Sequence, residues 1–208
     1  MTRQVRQVLV EGRLEVPAVR KILSGYGVGI KPENITVAAA RSVFWRKAVK
    51  FNNAAKNIGN QAAIFIGLAD QENPANCSPG LIKLHIGRIS PNFLLRISEK
   101  MLENWLLGDA DSFSDFFKVP LDVVRRESPC AMEAATHPKT VIVNLVRRST
   151  DRKIREGMTP EPGGKGLVGK EYTHWMTEYI ERSWNPQAAA GNNESLRRAL
   201  ATFQKSLV

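Results

Sequence analysis

Three acidic side chains stand where a parallel α/β sheet presents its chemistry. Glu11 closes the run VLVEG, and Asp70 and Glu72 follow the apolar run of IFIGLADQE. Ligands of open parallel sheets bind in the crevice beyond the carboxyl ends of the strands. If the two strands are neighbours, three carboxylates converge there. Two carboxylates ~4 Å apart repel by about 4 kcal/mol at an effective dielectric of 20. The usual relief is a raised pKa or a divalent cation. Oxygen donors that leave room for water suit Mg²⁺ (or Mn²⁺), which is then shared with substrate phosphates. Such an ion polarises a phosphoryl oxygen and orients a nucleophile, with Glu11 as a third ligand or as general acid–base. The expected catalytic and metal-binding sets therefore coincide as Glu11, Asp70 and Glu72. An acidic residue after one strand is as readily a loop residue or a helix cap, so the combination carries the signal.

The elements that must position these groups follow from periodicity. Arg6–Glu11 reads as a strand, and Leu14–Leu23 as a helix with Val16, Val19, Ile22 and Leu23 on one face. Ile35–Ala39 is a second strand. Ser42–Ile58 is a helix with Phe44, Ala48, Phe51, Ala55 and Ile58 on the core side and Arg46, Lys50, Asn53 and Asn57 opposite. Ala62–Leu68 is an unbroken apolar run, as expected of a strand covered on both faces. After a turn-rich segment, QENPANCSPG, come a strand at Phe93–Ile97 and a helix at Glu99–Leu107. The order β-α-β-α-β-loop-β-α predicts a Rossmann-like, mostly parallel sheet flanked by helices over residues 1–108. Residues 109–208 read as a mainly helical extension, with helices at Ser112–Phe117, Lys139–Arg148, Tyr172–Trp184 and Ser195–Leu207. The stretch Thr159–Gly169 reads as a loop.

Charge adds a partner class. The chain of 208 residues carries a net charge of +10, and Asn34–Ala69 holds no Asp or Glu while containing Arg41, Arg46, Lys47 and Lys50. A second basic stretch includes Arg147 and Arg148. Two such segments lining one groove would neutralise nucleic-acid phosphates, helped by Arg96 at a strand end and Lys139 at a helix start. Solvated helix faces are the plainer alternative. Glu15, Glu99 and Glu103 form a candidate secondary acidic site, since Glu99 and Glu103 would share a helix face. Trp105 reads as core. Two cysteines, Cys77 and Cys130, argue against a disulfide scaffold, and no apolar run approaches the ~20 residues of a membrane span. A cytoplasmic protein is expected. Zinc is disfavoured with three histidines and no CxxC. GKGLVGK at 164–170 nearly spells a P-loop, but Glu171 stands where Ser or Thr is needed and no apolar strand precedes it.

The glutamate after the first strand and the acid-x-acid pair after a later one resemble the TOPRIM fold. More broadly, VEGRLEVPAVRKIL, IGLADQEN, LLRISEKMLENWLLGD, HPKTVIVNLVRR, GLVGKEYT and WNPQAAAGNNESLRRAL resemble an uncharacterised bacterial family of TOPRIM-like domains. Genes of that family often lie beside an ABC- or OLD-type ATPase gene in phage-defence settings. The resemblance implies a Mg²⁺-dependent nuclease acting on DNA or RNA with an ATPase partner, in which Glu11 is the catalytic glutamate and Asp70 and Glu72 hold metal. Self-association would be compatible with it. Glu72 replaces the expected Asp, Met101 stands where the first acid of a Glu-x-Glu-Ala-Trp stretch is expected, and His137 stands in place of Asp in Asp-Pro-Lys. The alternative is therefore a catalytically weak nucleic-acid-binding or regulatory subunit on the same fold.

Overall fold

A computed structural model describes residues 4–58, 63–71, 77–129 and 137–207. Four strands, β1 (Gln4–Val10), β2 (Ile35–Val37), β3 (Ala63–Asp70) and β4 (Phe93–Ser98), form one sheet in the order β2-β1-β3-β4. Every pairing is parallel, with Val10 opposite Val37 and Leu68, and Asp70 opposite Ser98. A chain that starts in the middle of the sheet and then builds outward on both sides has its topological switch point between β1 and β3. Connections run through α1 (Glu15–Ser24), α2 (Arg41–Asn57) and α3 (Ser78–His85). The protein is thus α/β, with a four-stranded parallel sheet flanked by helices, consistent with a Rossmann-like arrangement.

The two faces of the sheet separate by alternation. Leu9, Phe65, Leu95 and Ile97 share one apolar cluster with Phe44, Ala48 and Ala55 of α2 and Leu81 of α3. Gly67 is where this layer is tightest: a Cβ there would stand 2.7 Å from Leu95 Cδ1 and 3.1 Å from the Phe93 ring. Helix α2 meets the expectation for its two faces, since Arg46, Lys50, Asn53 and Asn57 are exposed while Phe51 and Ile58 pack against the core. Asn52, also buried, binds the loop after α3, its Nδ2 donating to Arg88 O at 3.1 Å and its Oδ1 accepting from Ser90 N at 2.7 Å.

Contacts divide the chain into two units: Met1–Glu99 with Arg197–Val208, and Lys100–Leu196. The second unit holds α4 (Leu102–Leu107), α5 (Ala110–Phe117), α6 (Leu121–Glu127), α7 (Pro138–Val146), α8 (Arg152–Met158), α9 (Tyr172–Arg182) and α10 (Pro186–Asn192), while α11 (Glu194–Leu207) joins the first unit from Arg197 onward. Trp105, fully buried as anticipated, lies in the second unit with Phe113, Phe117 and Tyr179, whose rings stack within 5.6 Å of one another.

Four helices, α3, α6, α8 and α10, lie outside the expected set, and α4 starts later than expected. Helix α3 occupies part of the segment read as turns: Cys77 Sγ accepts from Gly80 N at 3.3 Å and Pro79 lies in the first turn, so Ser-Pro-Gly opens a helix here. Helix α8 is set by Asp151, whose carboxylate caps Lys153 and Ile154, and α10 by Asn185, which caps Gln187 and Ala188 ahead of Pro186. The helix expected from Glu99 starts only at Leu102, because Lys100 adopts φ +58 and breaks the chain between β4 and α4.

Candidate functional site at the carboxyl edge of the sheet

Glu11 and Asp70 lie at the carboxyl ends of β1 and β3, neighbouring strands about 4.8 Å apart. The ladder continues through Glu11: its N–H donates to Leu68 O at 3.2 Å, and its carbonyl accepts from Ala39 N at 2.9 Å. Arg41, the first residue of α2, reaches both positions. Its Nε lies 3.6 Å from Glu11 Oε1, and its Nη2 donates to the backbone carbonyl of Asp70. The Asp70 carboxylate instead accepts from Ser98 Oγ, at 2.6 Å, from the paired position on β4. The carboxyl edge of the sheet at the switch point thus carries two carboxylates, one guanidinium and one hydroxyl. Glu11 is 13% and Arg41 32% exposed in their side chains, so both are partly open to solvent.

Glu15 opens α1, where a negative charge is favoured by the helix dipole. It is buried, and its carboxylate folds over Gly12: a Cβ at position 12 would stand 2.9 Å from Glu15 Oε2. Gly12 therefore allows Glu15 to lie beside the strand end that bears Glu11. Glu72 lies outside the described residues. Among the described residues no group of three or more His, Cys, Asp or Glu side chains is placed to hold a metal. Glu11 and Asp70 remain oxygen donors of a type and number compatible with Mg²⁺, which commonly takes one or two carboxylates and completes its shell with water and phosphate.

The secondary acidic site does not form as expected. Glu99 precedes α4 and pairs with Arg198 Nη2 at 2.6 Å within the first unit. Glu103, in the second unit, is 2% exposed and is held by Lys139 Nζ at 3.7 Å and Tyr172 Oη at 3.3 Å. Burial, then the adjacent Glu103 charge and its hydrogen bond, push the Tyr172 phenol well above its ordinary range. Lys139 does open α7, but its ammonium serves Glu103.

The other expected cations divide. Arg46 and Lys50 are exposed on α2, and Lys47 is half-buried. Arg96 is inside β4, two residues before Ser98. Its guanidinium donates to Leu95 O at 2.7 Å, and burial lowers its pKa. In the second unit, Arg148 pairs with Glu127 at 2.6 Å, and Arg147 donates to Asn144 at 3.2 Å. The glycines of the P-loop-like stretch serve chain packing: a Cβ on Gly169 would meet Gly157 O at 2.3 Å, and Lys170 pairs with Glu161 at 2.7 Å.

Two contacts escaped the reading of the sequence. Ser98 as the Asp70 partner was discoverable, because it ends the strand FLLRIS at the same sheet edge. Tyr172 as the Glu103 partner, 69 residues away, left no local signal. Among the described residues no helix is long and apolar enough to cross a membrane. The chain matches none of the family models, curated proteins or solved structures with which it was compared.

Proposed function

We propose that the protein is a metal-dependent phosphodiesterase of TOPRIM type that cleaves DNA or RNA. The observation that carries this reading is the meeting of Glu11, Asp70 and Arg41 at the switch point of the parallel sheet, where such folds bind ligands. Glu11 and Asp70, with Glu72, would hold Mg²⁺ or Mn²⁺, which would supply charge stabilisation at the phosphoryl group. Arg41 is suited to a phosphate oxygen, because a guanidinium presents several donors in a fixed fork. Ser98 keeps the Asp70 carboxylate oriented through its short hydrogen bond. Action beside an ABC- or OLD-type ATPase in antiviral defence rests on the family resemblance.

The test is cleavage of plasmid DNA and of tRNA in Mg²⁺ or Mn²⁺. Cleavage abolished by EDTA and by Asp70→Ala supports the reading, and unaltered cleavage by Asp70→Ala overturns it. A second reading, a catalytically weak nucleic-acid-binding subunit, is favoured by one contact: the Glu11 carboxylate already has a cation, Arg41, beside it. Salt-sensitive binding without cleavage in either metal, with an ATPase partner present, would select that reading.

A further inference from the structure

Helices α2 and α3 stand side by side in the first unit. Trp45 of α2 stacks on His85 of α3 with ring centroids 4.3 Å apart and planes 16° from parallel. Asn52 of α2 binds the turn after α3 through Arg88 O and Ser90 N. These contacts join two polar surfaces into one. On α2 it presents Arg46, Lys50 and Lys56, and next to them Lys83 and Arg88, all exposed. From Asn34 to Ser98 the sequence contains only two acidic residues, Asp70 and Glu72. Among the described residues none of these five cations has an ion-pair partner. Several cations of the second unit are paired instead: Arg125 with Asp111 at 2.9 Å, Arg148 with Glu127 at 2.6 Å, Arg152 with Glu156 at 2.8 Å and Arg182 with Glu178 at 2.6 Å. Five positive charges on this face are therefore left without an acidic partner among the described residues, on a chain whose net charge is +10.

We infer that the α2–α3 face binds the phosphate backbone of a nucleic-acid strand and leads it to the sheet edge. Arg46, Lys50, Asn53 and Asn57 follow one another at three or four residues, so their Cα atoms step along α2 by about 5–6 Å. Helix α2, 17 residues and so about 25 Å long, begins with Arg41, which touches Glu11 and Asp70. A polyanion lying on the cationic row is thus directed at the two carboxylates. An anionic membrane fits less well. An interfacial helix buries an apolar face in lipid, whereas the apolar face of α2 is taken up by the sheet through Phe44, Ala48 and Ala55. The exposed amides of Asn53 and Asn57 suit phosphate and sugar oxygens. The inference rests on the proposed phosphodiester chemistry for the identity of its ligand.

The test measures binding apart from cleavage. Fluorescence anisotropy in EDTA follows a fluorescein-labelled single-stranded DNA 20-mer of mixed sequence against the full chain at several salt concentrations. Arg46→Gln, Lys50→Gln, Lys83→Gln and Arg88→Gln alter exposed side chains only. Lys165→Gln, in the second unit, is the control. Each of the four is expected to weaken binding and to lower the salt slope by about 1, while Lys165→Gln leaves binding unchanged. No binding by the wild type, or binding that the four variants leave intact, overturns the inference. So does a result in which the four variants lose affinity for anionic phospholipid vesicles while keeping that for DNA. Failure of Asp70→Ala to impair cleavage would strike the proposed reaction and leave this binding result standing.

Discussion

Two carboxylates of this protein, Glu11 and Glu103, each have a basic side chain within 4 Å, yet they differ in how far they are enclosed, at 13% against 2% side-chain exposure. Glu11 sits at the sheet edge with Arg41 at 3.6 Å, and both side chains keep some access to water. Glu103 lies inside the helical unit with Lys139 at 3.7 Å and Tyr172 at 3.3 Å, and it is almost wholly enclosed. A pair that keeps some access to water contributes less to stability than a fully enclosed one, and its members can exchange partners when a ligand arrives. A buried pair is the reverse: removing one member strands the other in a low-dielectric interior, at a cost of about 3–5 kcal/mol. The comparison teaches that a carboxylate–cation contact does not mark a site. Access to a ligand separates a site from a structural lock.

The largest effect expected under this contrast is on catalysis. Glu11→Gln should lower Mg²⁺-dependent cleavage about 10²–10⁴-fold, the usual share of a positioned acid–base group, while shifting the midpoint of urea unfolding only slightly. A large stability loss with cleavage preserved would put Glu11 in the same class as Glu103. Next comes Lys139→Met, which leaves the enclosed Glu103 carboxylate without its cation and is expected to destabilise the protein by about 3–5 kcal/mol in chemical denaturation. Lys139→Met together with Glu103→Leu should recover much of that loss, since apolar replacement of a buried pair is often neutral.

A smaller effect is expected of Tyr172→Phe, about 1 kcal/mol from the lost hydrogen bond, with a signature in pH. The folded-state pKa of Tyr172 is raised, so the folded protein holds this proton more tightly than the unfolded chain, whose tyrosines ionise near 10. The associated stability is complete below about pH 10 and is lost as pH rises beyond it. Thermal unfolding followed from pH 8 to 11 should show a shallower alkaline decline in Tyr172→Phe than in the wild type. Equal slopes would show that Tyr172 does not couple to Glu103. The smallest effect belongs to Arg41→Gln, expected to change stability by under about 1 kcal/mol while weakening affinity for the substrate strand, read as a rise in KM.

Much of the first unit was legible because its signals are local. VLVEG and AAIFIGLAD announce strands by apolar runs, and α2 declares both faces through 3.6-residue periodicity. The helices that were missed, α3, α6, α8 and α10, are short; α3, α8 and α10 start with Cys77, Asp151 and Asn185, whose capping role shows only once the following N–H groups turn toward them, and α6 follows Pro120 with no side-chain cap. Glu99 falls outside α4 and shares no helix face with Glu103, because Lys100 at φ +58 and Met101 in extended conformation precede the first helical residue. A positive φ at a lysine is imposed by surroundings that no periodicity rule contains.

The sequence by itself determined the strands and the longer helices, the cationic row on α2 and the placement of Glu11 and Asp70 at strand ends. Residue order encodes these directly, through side-chain volume, charge and spacing. Only the tertiary structure decided that β1 and β3 are neighbours, that Arg41 touches both strand ends, and that Lys139 serves Glu103. Those contacts join residues 29 to 59 positions apart in the chain. They depend on how sheet and helices close over one another, because two charges become partners only when folding removes the water between them.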